Sequence, residues 1–335
     1  MYNFLRHIIF TIFFLFTLLF NTFLLASELR VIKVNLVYDS FLDKNIEWHK
    51  NIRERFDEIN KFYTERFDIH WELSRKTKFN FERPFNTISD VFSKYKDKIT
   101  ALNVNNEGVV ICILSEDLPG KGIAGVFSNL VMISDSSYLK SKNSGVIIAH
   151  ELGHLFGAWH TRRKDDLMYI RGARNYKAGT ETNSIIKLMR NYDFKESTLL
   201  KNRDLLKRIS KLYKRFHARS EADPTVRRYS LNEVNPVARL YTDQGISFLK
   251  YNQYNQAIEF LEDSTKFDAG WGRTRMYLAK AYFGKNRYQE SFTELTRAVF
   301  FGANPDKIFE EKLKKKFEEL KKIDPEVINP FIEKY

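Results

Sequence analysis

The stretch His150-Glu151-Leu152-Gly153-His154-Leu155-Phe156-Gly157-Ala158-Trp159-His160 holds three of the chain's seven histidines and a glutamate beside the first. Neutral imidazoles bind metals, and two of them at i and i+4 share one face of a helix. The third histidine cannot ride the same helix and reach the same ion. Six residues of helix rise about 9 Å, whereas zinc–nitrogen bonds are only about 2.0–2.1 Å. The helix must therefore stop after His154 and the chain must turn back. Gly157 is placed to make that turn, because glycine accepts the left-handed conformation that ends helices. Three imidazoles on zinc leave a fourth position for water, which marks a catalytic site rather than a closed structural one. Glu151 offers its carboxylate beside that position, where a general base is needed.

The pattern HExxHxxGxxH resembles the metzincin clan of zinc metalloproteases. Asp166-Leu167-Met168-Tyr169 looks like the methionine turn of that clan, and its short distance from His160 is most similar to matrixins. The resemblance spans roughly Leu29 to Phe194. It implies one catalytic Zn2+ held by His150, His154 and His160, with Glu151 as general base and Gly157 and Met168 as structural support. The activity implied is endopeptidase hydrolysis of a peptide or protein substrate. Some relatives have a zinc-contacting tyrosine two residues after the methionine; Ile170 stands there, so no tyrosine ligand is expected. Matrixins usually follow their Tyr with Pro, and Ile170 departs from that too. By analogy with the clan, the segments flanking Met168 shape the primed-side pocket. They carry Arg162, Arg163, Lys164, Arg171 and Arg174, an arrangement expected to tolerate acidic side chains.

Several elements must position these residues. Val31–Tyr38 alternates and is rich in branched residues, so it reads as a strand. Ile46–Phe67 has helical spacing. Ile69–Leu73 reads as a strand, Ile88–Ile99 as a helix, Val109–Leu114 as a central strand, Pro119–Gly125 as a loop and Leu130–Ser134 as a short strand. Asn143 or Ser144 can cap the helix that carries His150. Thr180–Tyr192 reads as a closing helix, and Ser197–Phe216 as a basic amphipathic helix that Ser220-Glu221-Ala222-Asp223-Pro224-Thr225, the linker candidate, then breaks. The order matches the N-terminal half of a metzincin domain. The expected fold is thus an α+β metzincin-like catalytic domain, a twisted mixed sheet with an active-site helix, followed by an all-α helical-repeat domain.

That second domain rests on an internal period of 34 residues. Gly245 and Ala279, Tyr254 and Tyr288, Ala257 and Ser291, and Leu261 and Leu295 are each one period apart. The spacing resembles tetratricopeptide repeats, with helices near 237–250, 253–267, 272–284 and 288–301. Ser264 and Ser291 replace alanine at small positions. Two repeats are too few to stand alone, so flanking helices must complete the core or the repeats must pack on the protease. The expected division is a signal peptide or membrane anchor at 1–27, a zinc metalloprotease domain at 28–194, a helical linker at 195–235, tetratricopeptide-like repeats at 236–304, and a capping helix and tail at 305–335.

Arg6 and His7 precede an apolar run from Ile8 to Leu25. This reads either as a cleaved secretory signal or as an uncleaved membrane anchor, and in both cases the rest of the chain is exported. Cys112 is the only cysteine, which excludes an intramolecular disulfide, and it lies in an apolar strand as a small buried hydrophobe. The net charge of +13 comes from lysines interleaved with acids, and no nucleic-acid-binding motif accompanies it. His49, His70 and His217 read as surface or packed residues rather than ligands. The competing functional readings are an envelope scaffold that docks protein partners through the repeats over an inactive zinc domain, and a peptidase confined to one dedicated partner.

Overall fold

The computed structural model describes residues 28–44, 46–103, 108–134, 144–172, 174–221, 234–304, 306–323 and 330. The expected targeting segment of 1–27, the cap at Asn143, most of the break at Ser220–Thr225 and nearly all of the tail from 324 lie outside these residues. Among the described residues, no helix is long and apolar enough to cross a membrane.

The elements run β1 (Arg30–Asp39), a 3-10 turn (Ser40–Lys44), α1 (Ile46–Phe67), β2 (Ile69–Phe79), α2 (Ile88–Thr100), β3 (Val109–Leu114), β4 (Gly122–Ala124), β5 (Leu130–Ser134) and α3 (Ser144–Leu155). They continue with α4 (Thr180–Leu188), α5 (Glu196–Lys201), α6 (Arg203–Glu221), α7 (Pro236–Lys250), α8 (Tyr254–Phe267), α9 (Gly272–Gly284), α10 (Tyr288–Phe300) and α11 (Lys307–Ile323). Two compact units result. One holds the described residues through Ile123 together with Leu130–Ala149; the other holds Ala124–Asn129 and the described residues from His150 onward.

The first unit is built on a sheet of strand order β2-β1-β3-β5-β4. β1 runs parallel to β2 and β3, and β3 runs parallel to β5. Every residue of β3 and β5 is buried, as central parallel strands covered on both faces require. On one face, Ile88, Val91, Tyr95 and Ile99 of α2 pack with Val110, Cys112 and Met132. Burial also pushes the Cys112 thiol well up, so the thiolate is suppressed. A capping box between Thr87 and Asp90 starts α2. α1 buries Trp48, Ile52, Phe56, Ile59, Tyr63 and Phe67 at helical spacing. Tyr63 then donates to the Ala149 carbonyl at 2.8 Å, fixing the first half of α3 within this unit.

Four expectations need correction. Gly122–Ala124, read as loop, is the strand β4 beside β5; three residues are too few for an alternation to show. β2 runs on to Phe79, because its charged outer half continues the ladder with β1 past a bulge at Val34/Asn35. The helix expected over Ser197–Phe216 is two helices, α5 and α6. Asn202 divides them, and its side chain accepts from the Leu205 amide at 3.0 Å, which caps α6. The helix expected to reach Tyr192 ends at Leu188.

In the second unit, α7 packs on α8 and α9 on α10, at positions close to those the 34-residue spacing predicts. α6 packs on α7, and α11 on α10, so helices flank the four at both ends. Ser264 and Ser291 are fully buried. Their hydroxyls donate to the carbonyls of Ala238 and Ala279, each at 2.8 Å, which is why serine can occupy an alanine-sized position.

Asn235 ties three of these helices together. It is fully buried, and its side chain accepts from the Val237 amide at 3.0 Å, capping α7 with Pro236 at the first turn. The same side chain donates to Ser210 of α6 at 2.9 Å, and the Asn235 amide donates to Asp268 after α8 at 3.1 Å. Asn235→Ala is expected to destabilise the chain by about 2 kcal/mol, the sum of a lost cap and a lost buried hydrogen bond. Urea unfolding followed by far-ultraviolet circular dichroism checks this; an unchanged midpoint would remove Asn235 from that role.

Candidate metal centre

α3 presents His150 and His154 one turn apart and then stops. The Gly157 amide bonds to the His154 carbonyl at 2.8 Å, and the Ala158 amide to the Gly153 carbonyl at 3.1 Å. Gly157 has φ +83, the left-handed conformation that ends a helix. A Cβ there would lie 2.0 Å from the Phe127 ring, so the position excludes a side chain twice over. Phe127 is held in turn by Tyr192, whose hydroxyl donates to its carbonyl at 2.5 Å. The reversal brings His160 back over the helix. The Thr161 amide bonds to the Met168 carbonyl at 2.7 Å and the Ile170 amide to the Thr161 carbonyl at 2.9 Å, which pins the third histidine to the methionine turn.

His150, His154 and His160 form a group that could hold a metal ion, with ligand atoms all within 4.8 Å of one another. No second such group occurs among the described residues. The Nε2 atom of His160 lies 3.1 Å from Nε2 of His150 and 3.1 Å from Nε2 of His154. Nitrogens at tetrahedral angles on one zinc are about 3.3 Å apart, close to this spacing. The tautomers settle the fit. Nδ1 of His150 is 2.7 Å from the Leu167 carbonyl, and Nδ1 of His154 is 2.6 Å from the Ala158 carbonyl. A carbonyl only accepts, so both Nδ1 atoms carry the proton and both Nε2 lone pairs are bare. His160 Nε2 has one proton at most and cannot satisfy both. A shared cation satisfies all three, and a carbonyl on the far nitrogen is the usual partner of a metal-bound imidazole.

Electrostatics point the same way. Burial lowers the His150 pKa to about 4, against a smaller opposite effect of the Leu167 carbonyl. Burial, with the neighbouring histidines, holds His154 well below the ordinary histidine range. Both rings are therefore neutral at pH 7, the form that binds metal. Glu151 is buried as well, and burial alone raises its carboxyl to about 8. A positive charge held by the histidines acts in the opposite direction.

Met168 lies beneath the helix, its sulfur 2.8 Å from where a Cβ on Gly153 would be. Glycine at 153 is what lets the methionine approach between the two histidines. Sequence reasoning missed the residue that holds this turn. Asp166 is 1% exposed and accepts from the Met168 amide at 2.9 Å, the Thr182 hydroxyl at 2.7 Å and the Gly179 amide at 3.0 Å. An aspartate bonding two residues ahead is a local turn signature, and Asp166-Leu167-Met168 carried that signal. Trp159 was missed too. Its indole donates to Glu181 and its ring meets Tyr213 of α6 edge-on at 5.1 Å. The first turn of α4 thus receives Asp166 from the methionine turn and Trp159 from the loop carrying His160.

The five expected pocket cations, Arg162, Arg163, Lys164, Arg171 and Arg174, are all exposed. Arg163 lies 3.5 Å from Asp165, and Arg174 sits over the Tyr169 ring at 5.8 Å. His49 and His70 are half-buried and belong to no metal-binding group among the described residues, with His49 against Trp48 at 4.8 Å; the His217 side chain is outside the described residues.

Of the comparisons with known proteins, the family model agrees with this chemistry. Among curated proteins, none matches the chain. A solved archaemetzincin from Methanopyrus kandleri is 18% identical over 50% of this chain and 99% of its own, with a TM-score of 0.35. A structure described as a chaperone-substrate complex is 16% identical over 49% of this chain, with a TM-score of 0.36. This chain spans only 35% of that one's length. Scores this low carry no structural argument. The model of metallo-peptidase family M12, however, matches residues 28–197, just over half of the sequence. With the three histidines in place, the chain belongs to metallo-peptidase family M12.

Proposed function

We propose that the protein is an exported zinc endopeptidase that uses Glu151 as general base. One observation carries this reading: three imidazole nitrogens converge while two of them have their far nitrogens bonded to carbonyls. His150, His154 and His160 would hold one zinc ion. Zinc at such a site supplies Lewis acidity, lowering the pKa of water to about 7 and polarising a scissile carbonyl.

The remaining chemistry belongs to side chains of the protein. The Glu151 carboxylate follows His150 directly on α3, and among the described residues no donor is bonded to it. It is free to take a proton from the attacking water and to pass it to the departing amine. Asp166 and Met168 hold the turn whose Leu167 carbonyl orients His150, and Gly157 makes the reversal that delivers His160. The short interval from His160 to Met168 is the feature shared with matrixins, and Ile170, two residues after Met168 where some relatives have a zinc-contacting tyrosine, supports a site with no tyrosine ligand. The exposed arginines around Met168 support tolerance of acidic residues on the primed side of a substrate. Residues 28–194 form the catalytic domain in this reading, 195–235 its helical connection, and 236–304 a repeat array that docks protein partners. Residues 1–27 direct export or anchor the chain.

Glu151→Gln is expected to keep zinc and to lose about 10²–10⁴-fold in activity. Metal analysis and cleavage of a quenched fluorescent peptide library measure both, and comparison of protein termini in cells carrying each form identifies substrates. Full zinc content with activity equal to the wild type would end the catalytic reading. Asp166→Asn places an amide donor against the Gly179 amide. It is expected to weaken zinc binding by about 10–100-fold, the usual effect of losing support behind a ligand. Competition with a chromophoric chelator reads this; an unchanged affinity would remove Asp166 from the support of the site.

A further inference from the structure

We propose that a basic groove between α4 and α6 binds the surface of a bilayer containing anionic phospholipid. The groove has a volume of about 980 Å³, and its walls include Lys187 and Leu188 of α4 and Arg208, Lys211, Leu212 and Arg215 of α6. Helical spacing explains the arrangement. α6 turns Leu206, Ile209 and Tyr213 into the core, which leaves 208, 211, 212 and 215 as one stripe on the opposite side.

The absence of acids marks this face: no acidic residue lines the groove. Among the described residues, Lys187, Arg208, Lys211 and Arg215 form no ion pair. Some exposed cations elsewhere in the same unit do, as in Lys266 with Asp263, Arg287 with Glu290 and Lys316 with Glu319; Lys312, Lys314, Lys315 and Lys322 of α11 do not, but they are interleaved with acids along their helix. Interleaved acids explain most of the chain's basic balance as ordinary solvated surface; they do not explain this groove.

The floor decides the kind of anion. Leu188 and Leu212 are half-buried between the cations. Charged heads on long stems around apolar side chains match phosphate above and acyl chain below. Both walls are helices whose backbones are bonded internally, so an extended acidic peptide finds no strand edge to set its register. No aromatic ring lines the groove for base stacking. The same chain carries the apolar run Ile8–Leu25, and stable membrane attachment takes two signals where one is marginal. None of this depends on the peptidase reading.

The test is co-sedimentation of the full chain with vesicles of phosphatidylcholine alone and of phosphatidylcholine with an equal part of phosphatidylglycerol. The apolar N-terminal run serves both vesicles alike; the groove adds the anionic preference. A preference of roughly tenfold or more is expected, falling as salt is raised. Combined Lys187→Gln, Arg208→Gln, Lys211→Gln and Arg215→Gln should abolish it. The pair Lys211→Gln and Arg215→Gln, the smaller perturbation, should weaken it. Combined Lys312→Gln, Lys314→Gln, Lys315→Gln and Lys322→Gln on α11 removes the same charge and should preserve it. Circular dichroism confirms that each variant is folded. The proposal is overturned if the wild type shows no preference, or if the α11 variant loses it equally. It is also overturned if the groove variant keeps its preference, which would leave an acidic protein segment as the occupant.

Discussion

Three imidazole nitrogens must meet at one point, and two of them come from a rigid helix. That requirement governs the local structure from Gly153 to Thr182. A helix cannot deliver the third nitrogen, so α3 ends at Leu155 and Gly157 takes a left-handed conformation. The reversal is useful only if the returning strand is held, and the Thr161 bridge to Met168 and Tyr169 holds it. Each buried histidine would then be free to rotate without a partner for its second nitrogen. The carbonyls of Leu167 and Ala158 remove that freedom and select the tautomer.

A second layer of contacts stands behind the first. Leu167 presents its carbonyl because Asp166 binds the turn on both sides, and Ala158 precedes a tryptophan anchored to Glu181. Both supports end on the first turn of α4. Trp159 also meets Tyr213 of α6, and α6 packs on α7. The candidate ligands and the C-terminal helices therefore belong to one compact unit. The contacts between them are aromatic and hydrogen-bonded rather than a bare linker, so the α6 helix is part of what shapes the loop that carries His160.

The metal group was legible because its constraints are local. His150 and His154 share a helix face by spacing, Gly157 is demanded by the reversal, and Met168 follows at a fixed interval. The buried strands β3 and β5 were legible as uninterrupted apolar runs, and the four C-terminal helices through their 34-residue period. What stayed hidden depends on partners remote in sequence. Nothing near Asp166 announces Gly179 or Thr182, and nothing near Trp159 announces Glu181 or Tyr213. β4 is three residues long, and the outer half of β2 is mostly polar because it pairs with β1 through its backbone while most of its side chains stay exposed. Asn202, polar and in the middle of an apparent helical period, ends one helix and caps the next, a role that the apolar stripe on either side concealed.

Zinc-edge X-ray absorption on the purified full chain tests the account most directly. Three imidazoles and one further light atom at about 2.0–2.1 Å are predicted. A sulfur ligand at about 2.3 Å, or fewer than three imidazoles, would contradict the convergence of His150, His154 and His160 on one ion.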